Sequence, residues 1–102
     1  MESTRVDGQK LIAFTKEALV RANVPEANAE AAAHILVECD MRGVASHGVV
    51  ALPGYIAQMQ KGGIDPKAEA KVLREGAAYA VIDGNSGMGQ INAYKGTQLA
   101  IK

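Results

Sequence analysis

The spacing of apolar residues predicts a helix over residues 7–23. Its main apolar positions recur at steps of three and four residues, which places them on one helical face: Leu11, Phe14, Ala18 and Ala22. Ile12 and Leu19 flank this stripe. Asp7 precedes the first turn, where an Asp side chain accepts hydrogen bonds from free backbone amides, so it is the expected N-cap.

A second helix is predicted over residues 26–41, separated from the first by Val24-Pro25. Proline restricts the residue before it and suits the first turn of a helix, so this pair ends one helix and begins the next. Gly43 is the expected end of the second helix. One face of this helix carries mainly small residues, which let another helix approach closely: Ala29, Ala32, Leu36 and Cys39.

A third helix is predicted to begin near Ser46, since serine is a good N-cap. Helical spacing continues through four apolar residues: Val49, Leu52, Ile56 and Met59. Pro53 lies within this run, so the first turn is expected to be irregular or kinked. The pair Gly62-Gly63 is expected to stop the helix.

The remainder of the chain predicts two short strands over residues 71–74 and 77–82, joined by a turn at Glu75-Gly76. The second strand is apolar almost throughout, so both of its faces are expected to be covered. Residues 83–89 form a glycine-rich turn, and a fourth helix is expected from Met88 onward.

This order of elements predicts an α/β fold, with N-terminal helices followed by short strands and a helix. Residues 1–63 form a helical segment, and residues 64–102 contain the strands, the glycine-rich turn and the start of a helix. Apolar residues make up 48% of the chain, but 18 residues are Ala and Trp is absent, so the available core is thin. We therefore expect residues 1–102 to be a single incomplete domain.

Composition argues against several classes of function. Lys and Arg total 11, as do Asp and Glu, whereas binding to nucleic acid or to an anionic membrane needs an excess of positive charge. One cysteine, Cys39, leaves no internal disulfide, and it is expected to be a small core residue. The sequence shows no signal-peptide or transmembrane pattern, so the expected location is the cytoplasm.

The candidate for chemistry is His47, which lies between two predicted helices with Ser46 and Gly48 as small neighbours. The positive end of the predicted third helix would favour a neutral imidazole, the form that general acid/base catalysis requires near neutral pH. A solvated loop histidine, or one that caps the turn, is the alternative. His34 is expected to be an ordinary helical side chain, and no metal site is predicted.

The charged residues at the end of the second helix and the glycine-rich run are both expected to be structural. Asp40 and Arg42 are expected to form a charge pair at the end of the second helix. The glycine-rich run over residues 83–89 follows a strand and opens a helix, where backbone amides can bind phosphate. Its order is G-x-x-G-x-G, which differs from the dinucleotide-binding motif, and the lysine of a P-loop is missing. A tight strand-to-helix turn is therefore expected.

Residues 36–63 resemble the signature of the malate/L-lactate dehydrogenase family that does not use the Rossmann fold. The family pattern is an apolar helix, then D-x-R-G-x-x-S-H-G, then L-P-x-Y. These motifs are here Asp40-Met41-Arg42-Gly43, Ser46-His47-Gly48 and Leu52-Pro53-Gly54-Tyr55. Two later stretches match as well: Ile82-Asp83-Gly84 and Gly87-Met88-Gly89-Gln90. The resemblance covers nearly the whole chain, as the N-terminal segment of a longer enzyme.

The resemblance implies an oxidoreductase that transfers a hydride between NADH or NADPH and a 2-oxo acid. His47 would donate the proton to the carbonyl oxygen in reduction and act as the base in oxidation. Ser46 would position the substrate or His47. The resemblance also implies a homodimer, and places the cofactor-binding residues beyond Lys102.

Two positions depart from the family pattern. Members of the family commonly carry Arg four residues after the histidine, where it can hold a substrate carboxylate, and this chain has Ala51 there. Gly54 stands where the family often has a larger residue. A methyl group does not replace a bidentate guanidinium, so either another residue holds the carboxylate, or the substrate differs, or activity is reduced. The alternative hypothesis is a non-catalytic helical module, or an inactive truncated segment, that pairs with another chain through its Ala-rich face.

Overall fold

Four helices and one β-hairpin make up the part of the chain that the structure describes, residues 5–101 of a computed structural model. The helices are α1 (Gly8–Arg21), α2 (Glu26–Met41), α3 (Leu52–Lys61) and α4 (Gly89–Ala100), and the strands are β1 (Lys71–Glu75) and β2 (Ala80–Asp83). Two short 3₁₀ turns, Ala45–His47 and Val49–Ala51, connect α2 to α3. The predicted α/β class, with helices first and strands later, is confirmed.

Helix α1 begins where the sequence predicts. The side chain of Asp7 accepts a hydrogen bond from the backbone amide of Gln9 at 3.1 Å, which confirms it as the N-cap. The predicted apolar face is partly wrong, because Phe14 is 64% exposed while Thr15 and Leu19 are fully buried. Successive helical residues lie about 100° apart, so a contact centred on Thr15 turns Phe14 toward solvent.

Helix α2 packs its small-residue face against α1, as predicted. Ala29, Ala32 and Leu36 are fully inaccessible to solvent. Cys39, which the sequence placed on this face, is only half-buried. The core around α2 also includes residues from α1, the connection between α1 and α2, α3 and the start of α4: Leu19, Val24, Leu52, Met59, Met88 and Ile91. A helix lined with Ala lets its neighbours approach closely, which compensates in part for the few large side chains.

The third helix begins six residues later than predicted, at Leu52 instead of Ser46. The preceding residues form 3₁₀ turns, and Pro53 lies in the first turn of α3, where its missing amide has no helical partner to lose. The irregular backbone therefore lies before the proline. Gly62 ends α3 in the left-handed conformation, with φ of 88°, as glycine allows.

The strands form an antiparallel hairpin with Val72 opposite Ile82, and an irregularity in register at Leu73. The second strand starts at Ala80, three residues later than predicted, because the turn extends to Tyr79, whose carbonyl accepts the amide of Gly76 at 2.9 Å. The prediction that both faces of this strand are covered is wrong, since only Ile82 is even half-buried in it.

Glu69 connects the segment between α3 and β1 to two helices. Its carboxylate accepts hydrogen bonds from Asn28 of α2 at 3.4 Å and from the ammonium group of Lys95 of α4. The hydrogen bond from Lys95 holds the pKa of the Glu69 carboxyl below its ordinary value. Asn85 donates to the Glu69 carbonyl at 2.6 Å. The division of the chain at residue 63 falls just before this segment and stays a prediction.

Truncation of the core should cost far more stability than truncation of the exposed apolar residue on α1. Leu36→Ala removes a fully buried side chain from α2, and we expect a loss of about 2–5 kcal/mol in the free energy of unfolding. The measurement is urea denaturation followed by circular dichroism. Phe14→Ala is the control, and an equal loss in both variants would contradict the packing described.

The hydroxyl of Thr15 is buried without a hydrogen-bond partner among the described residues. A buried unsatisfied polar atom costs about 1–3 kcal/mol, so Thr15→Val should leave stability unchanged or raise it by about 1 kcal/mol. Thr97→Val on the exposed surface of α4 is the matched control. A marked loss of stability in Thr15→Val alone would show that the hydroxyl does have a partner.

Candidate active site

Ser46 and His47 lie in the first 3₁₀ turn after α2, and both side chains are exposed. We call residues 44–51 the histidine loop. The amide of His47 donates to the carbonyl of Val44 at 3.1 Å, which closes the turn. Since α3 begins only at Leu52, His47 does not lie at a helix N-terminus, and the expectation of a helix dipole acting on its ring is wrong.

Ser46 contacts the imidazole of its neighbour directly. Its Oγ lies 2.8 Å from Nδ1 of His47, within hydrogen-bond distance. If the ring carries its proton on Nε2, the hydroxyl donates to Nδ1; if the proton is on Nδ1, the ring donates to the hydroxyl. In either tautomer this contact engages Nδ1 and leaves Nε2 as the nitrogen that can meet a ligand.

Asp40, in the last turn of α2, contacts the histidine loop. Its Oδ2 accepts a hydrogen bond from the amide of Val49 at 2.9 Å. The same carboxylate fills the space beside Gly48, where an added Cβ would lie 2.1 Å from Oδ1. Gly48 has φ of −96°, which other residues also adopt, so the close approach of Asp40 accounts for a glycine here.

The predicted charge pair between Asp40 and Arg42 is not formed. Arg42 pairs instead with Glu38, with 2.8 Å between Nε and Oε1, because residues four apart share a helical face. The separation of Asp40 and Arg42 is two residues, which places them on different sides of the helix. The sequence analysis did not predict that Asp40 contacts Val49 and Gly48. The one available signal was that Asp40 and Gly48 belong to the same motif, D-x-R-G-x-x-S-H-G.

His47 borders an open groove of about 670 Å³ along the outer face of α2. We call it the histidine groove; it is lined by His34, Ile35, Glu38, Cys39, Arg42, Val44 and His47. The structure thus brings both histidines to one surface, which the sequence did not predict. Nε2 of His34 also lies 3.9 Å from Oε1 of Glu30, which is one turn earlier in α2. Arg42 is the one cationic side chain among the lining residues that the structure describes, the histidines apart.

The glycine-rich turn between β2 and α4 is a tight strand-to-helix connection, as predicted. A Cβ on Gly84 would lie 2.2 Å from the side-chain nitrogen Nδ2 of Asn92. A Cβ on Gly87 would lie 3.2 Å from the carbonyl oxygen of Gly84. The space beside these glycines is therefore filled by the chain itself. Within residues 5–101, no three His, Cys, Asp or Glu side chains are grouped so that they could hold a metal ion.

The later motifs join α3 to the start of α4. Tyr55 of the L-P-x-Y motif accepts a hydrogen bond from the side chain of Gln90 at 2.8 Å. Leu52 and Met88, from the same two motifs, are both buried in the core. These motifs hold α3 and α4 together, and their role in this structure is packing.

Comparison with known proteins assigns the chain to a class of dehydrogenases. A family model described as malate/L-lactate dehydrogenase matches residues 6–102. The chain therefore belongs to the malate/L-lactate dehydrogenase family. Malate dehydrogenase of Pyrococcus horikoshii is 42% identical over 98 residues, which are 96% of this chain and 27% of that protein. L-sulfolactate dehydrogenase of Methanocaldococcus jannaschii is 41% identical, over 84% of this chain and 25% of that protein.

Solved structures agree with this assignment. The structure of the P. horikoshii malate dehydrogenase superposes with a TM-score of 0.91 at 41% identity, over 96% of this chain and 28% of that one. Malate dehydrogenase from Entamoeba histolytica has a TM-score of 0.92 at 31% identity, over 98% of this chain and 28% of that one. The chain thus spans little more than a quarter of the length of these relatives.

None of the described helices is both long enough and apolar enough to cross a membrane.

Proposed function

We propose that this chain is the proton-transferring segment of an NAD(P)-dependent dehydrogenase that interconverts a 2-hydroxy acid and a 2-oxo acid. The observation that carries the proposal is the placement of His47. Its ring is exposed at the edge of the histidine groove and is in contact with Ser46 through one nitrogen. The relatives named as malate and sulfolactate dehydrogenases support the substrate class.

In this mechanism, His47 exchanges one proton with the substrate oxygen. In the direction of reduction, the imidazolium donates the proton from Nε2 to the carbonyl oxygen as the alcohol forms. In the direction of oxidation, the neutral ring removes the hydroxyl proton. Because Ser46 is bound to Nδ1, it fixes the rotation of the ring and keeps Nε2 directed to the substrate. His47 is the proposed catalytic residue and Ser46 the proposed positioning residue.

We assign no binding site for the nicotinamide cofactor to residues 5–101. In the glycine-rich turn, the space beside Gly84 and Gly87 is filled by the chain itself. We assign the binding of NAD or NADP to parts of a family-length enzyme that this chain does not include. The choice between NAD and NADP stays open. The homodimer and the cytoplasmic location stay predictions.

The substrate carboxylate needs a cation in the histidine groove. Ala51 offers none, and Arg42 is the cation that lines the groove together with His47. Arg42 engages Glu38 through Nε, which leaves its two terminal nitrogens for a second partner. Arg42 is therefore our candidate for the carboxylate anchor.

A second candidate function is a non-catalytic module that associates with another chain. Pairing through the Ala-rich face of α2 is wrong, because that face is buried within the chain. The candidate rests instead on the exposed apolar side chains of the hairpin and of the C-terminal end of α4, among them Leu73, Val81 and Ile101. Where exposed apolar side chains form a contiguous patch, they are typical of an interaction site. Such a patch is equally the surface that a larger enzyme would cover, so the test of activity separates the two candidates.

Replacement of His47 should abolish the chemistry of a family-length enzyme. The enzyme to test carries these 102 residues followed by the remainder of the P. horikoshii malate dehydrogenase. With oxaloacetate, His47→Ala should lower kcat for NADH oxidation by about 10²- to 10⁴-fold, the usual contribution of general acid/base catalysis.

His34→Ala, the other histidine of the groove, should cost much less, since its ring lies near Glu30 on the helix surface. Equal activity of His47→Ala and the parent enzyme would contradict the role of His47. A folded parent enzyme without activity would favour the non-catalytic module.

Loss of the Ser46 hydroxyl should weaken proton transfer without abolishing it. Ser46→Ala removes the contact with Nδ1 and frees the ring to rotate, so we expect kcat to fall by about tenfold, close to the value of one hydrogen bond. Ser46→Thr retains the hydroxyl and should restore most of the rate. Ser86→Ala, in the turn before α4, is the matched control. An unchanged rate in Ser46→Ala would remove Ser46 from the mechanism.

A further inference from the structure

We propose that Asp40 is the positioning residue that holds the histidine loop in register with α2, and that Gly48 is required because of it. The inference rests on the proposed function of His47, which it deepens by naming the group that fixes the backbone under the catalytic ring. Asp40 is not among the residues that line the histidine groove. It acts through the backbone of the two residues that follow His47.

Two contacts of one carboxylate support this inference. Oδ2 accepts the amide hydrogen of Val49 at 2.9 Å, and Oδ1 lies where a side chain at position 48 would begin. A carboxylate that accepts a backbone hydrogen bond forms a stronger bond than a neutral acceptor does. The Asp40 side chain therefore holds the loop both by attraction, at Val49, and by contact, at Gly48.

Asp40 is itself well fixed. It lies one turn after Leu36 and Val37, which are buried in the core, so its backbone moves with a packed helix. The ion pairs among the described residues do not include Asp40, and Arg42 is taken by Glu38. The carboxylate is thus committed to the loop instead of to a neighbouring cation.

The length of the side chain matters as much as its charge. Aspartate places its oxygens one bond closer to the helix than glutamate does, which suits the short distance between α2 and Gly48. Asparagine offers one acceptor oxygen, so it can keep the hydrogen bond from Val49 in a weaker form. The expected order of activity is Asp, then Asn, then Ala.

The consequence for function is a change in kcat at nearly constant KM. Displacement of a catalytic group by about 1 Å costs about 10²-fold in rate, even when the mutation lies away from the chemistry. The anchor proposed for the substrate carboxylate, Arg42, is the C-cap residue of α2 and lies outside the histidine loop. A residue that served stability alone would lower the amount of folded enzyme and leave its kcat unchanged.

The test is a double-mutant cycle in the family-length enzyme described above. Gly48→Ala should lower kcat by about 10²-fold, because the new methyl group meets the Asp40 carboxylate. Asp40→Ala should lower kcat as well, with Asp40→Asn between it and the parent. In the double variant Asp40→Ala/Gly48→Ala, the methyl group enters the space that the carboxylate leaves, so the combined loss should be smaller than the product of the single losses.

Gly54→Ala is the control for Gly48→Ala, because nothing lies within 4 Å of a Cβ at that position. Its kcat should equal that of the parent enzyme. Losses that multiply independently in the double variant, or an unchanged kcat per folded enzyme in Asp40→Ala, would overturn the proposal. Should Asp40→Ala fail to fold, Asp40→Asn and Gly48→Ala carry the same comparison of kcat with KM.

The outcomes also separate this inference from the proposed function. If His47→Ala abolishes activity and Asp40→Ala does not lower kcat, the role of Asp40 is wrong and that of His47 stands. If His47→Ala is fully active, the proposed function fails. In that case, the stability of each variant of the double-mutant cycle is measured as its midpoint of urea denaturation. Additive effects of the two substitutions on stability would show that Asp40 and Gly48 are not in contact.

Discussion

The close packing of α2 against its neighbours is the constraint on which the rest of this structure depends. Three alanines of α2 are fully inaccessible to solvent, and α1 lies directly against them. Small side chains lower the distance between helix axes and increase the number of dispersion contacts, which matters in a chain with one Phe and no Trp. Helix α4 contacts α2 on another side, so α2 connects the first half of the chain to the second.

The candidate site takes its geometry from this helix. The groove beside His47 is formed largely by the outer face of α2, while the inner face is buried in the core. One element therefore provides both the packing and the wall of the site. The histidine loop adds His47, the proposed catalytic residue, and Asp40 joins the loop to the helix by accepting a hydrogen bond from the amide of Val49. A loop held by a packed helix can present a side chain accurately while staying open to a ligand.

The hairpin, in contrast to α2, is exposed to solvent. Its strands are exposed almost throughout, and apolar side chains such as Leu73 and Val81 face solvent. A two-stranded sheet is of marginal stability by itself and gains stability when more strands or a helix cover it. The chain matches little more than a quarter of the length of its relatives, and the exposed hairpin is the region where further structure would add most to the core.

Much of the fold followed from local signals in the sequence. Asp7 as a cap, Val24-Pro25 as a helix boundary and Gly62 as a stop depend on backbone chemistry within a few residues, so they could be predicted in place. The motif around His47 likewise identified the residue that the structure places at the groove. Each of these features is determined by neighbours along the chain.

Tertiary structure decided the features that depend on distant partners. Periodicity placed Phe14 on the apolar stripe and Thr15 beside it, whereas the position of α2 decides that Thr15 is the buried residue of the two. The start of α3 at Leu52 and the partner of Asp40 depend on how the histidine loop folds back onto α2. The sequence by itself determined the four helices, most of their ends and the identity of the candidate catalytic residue. The burial of one helix face and the single carboxylate that positions that residue were decided by packing, since both are contacts between elements that local sequence does not encode.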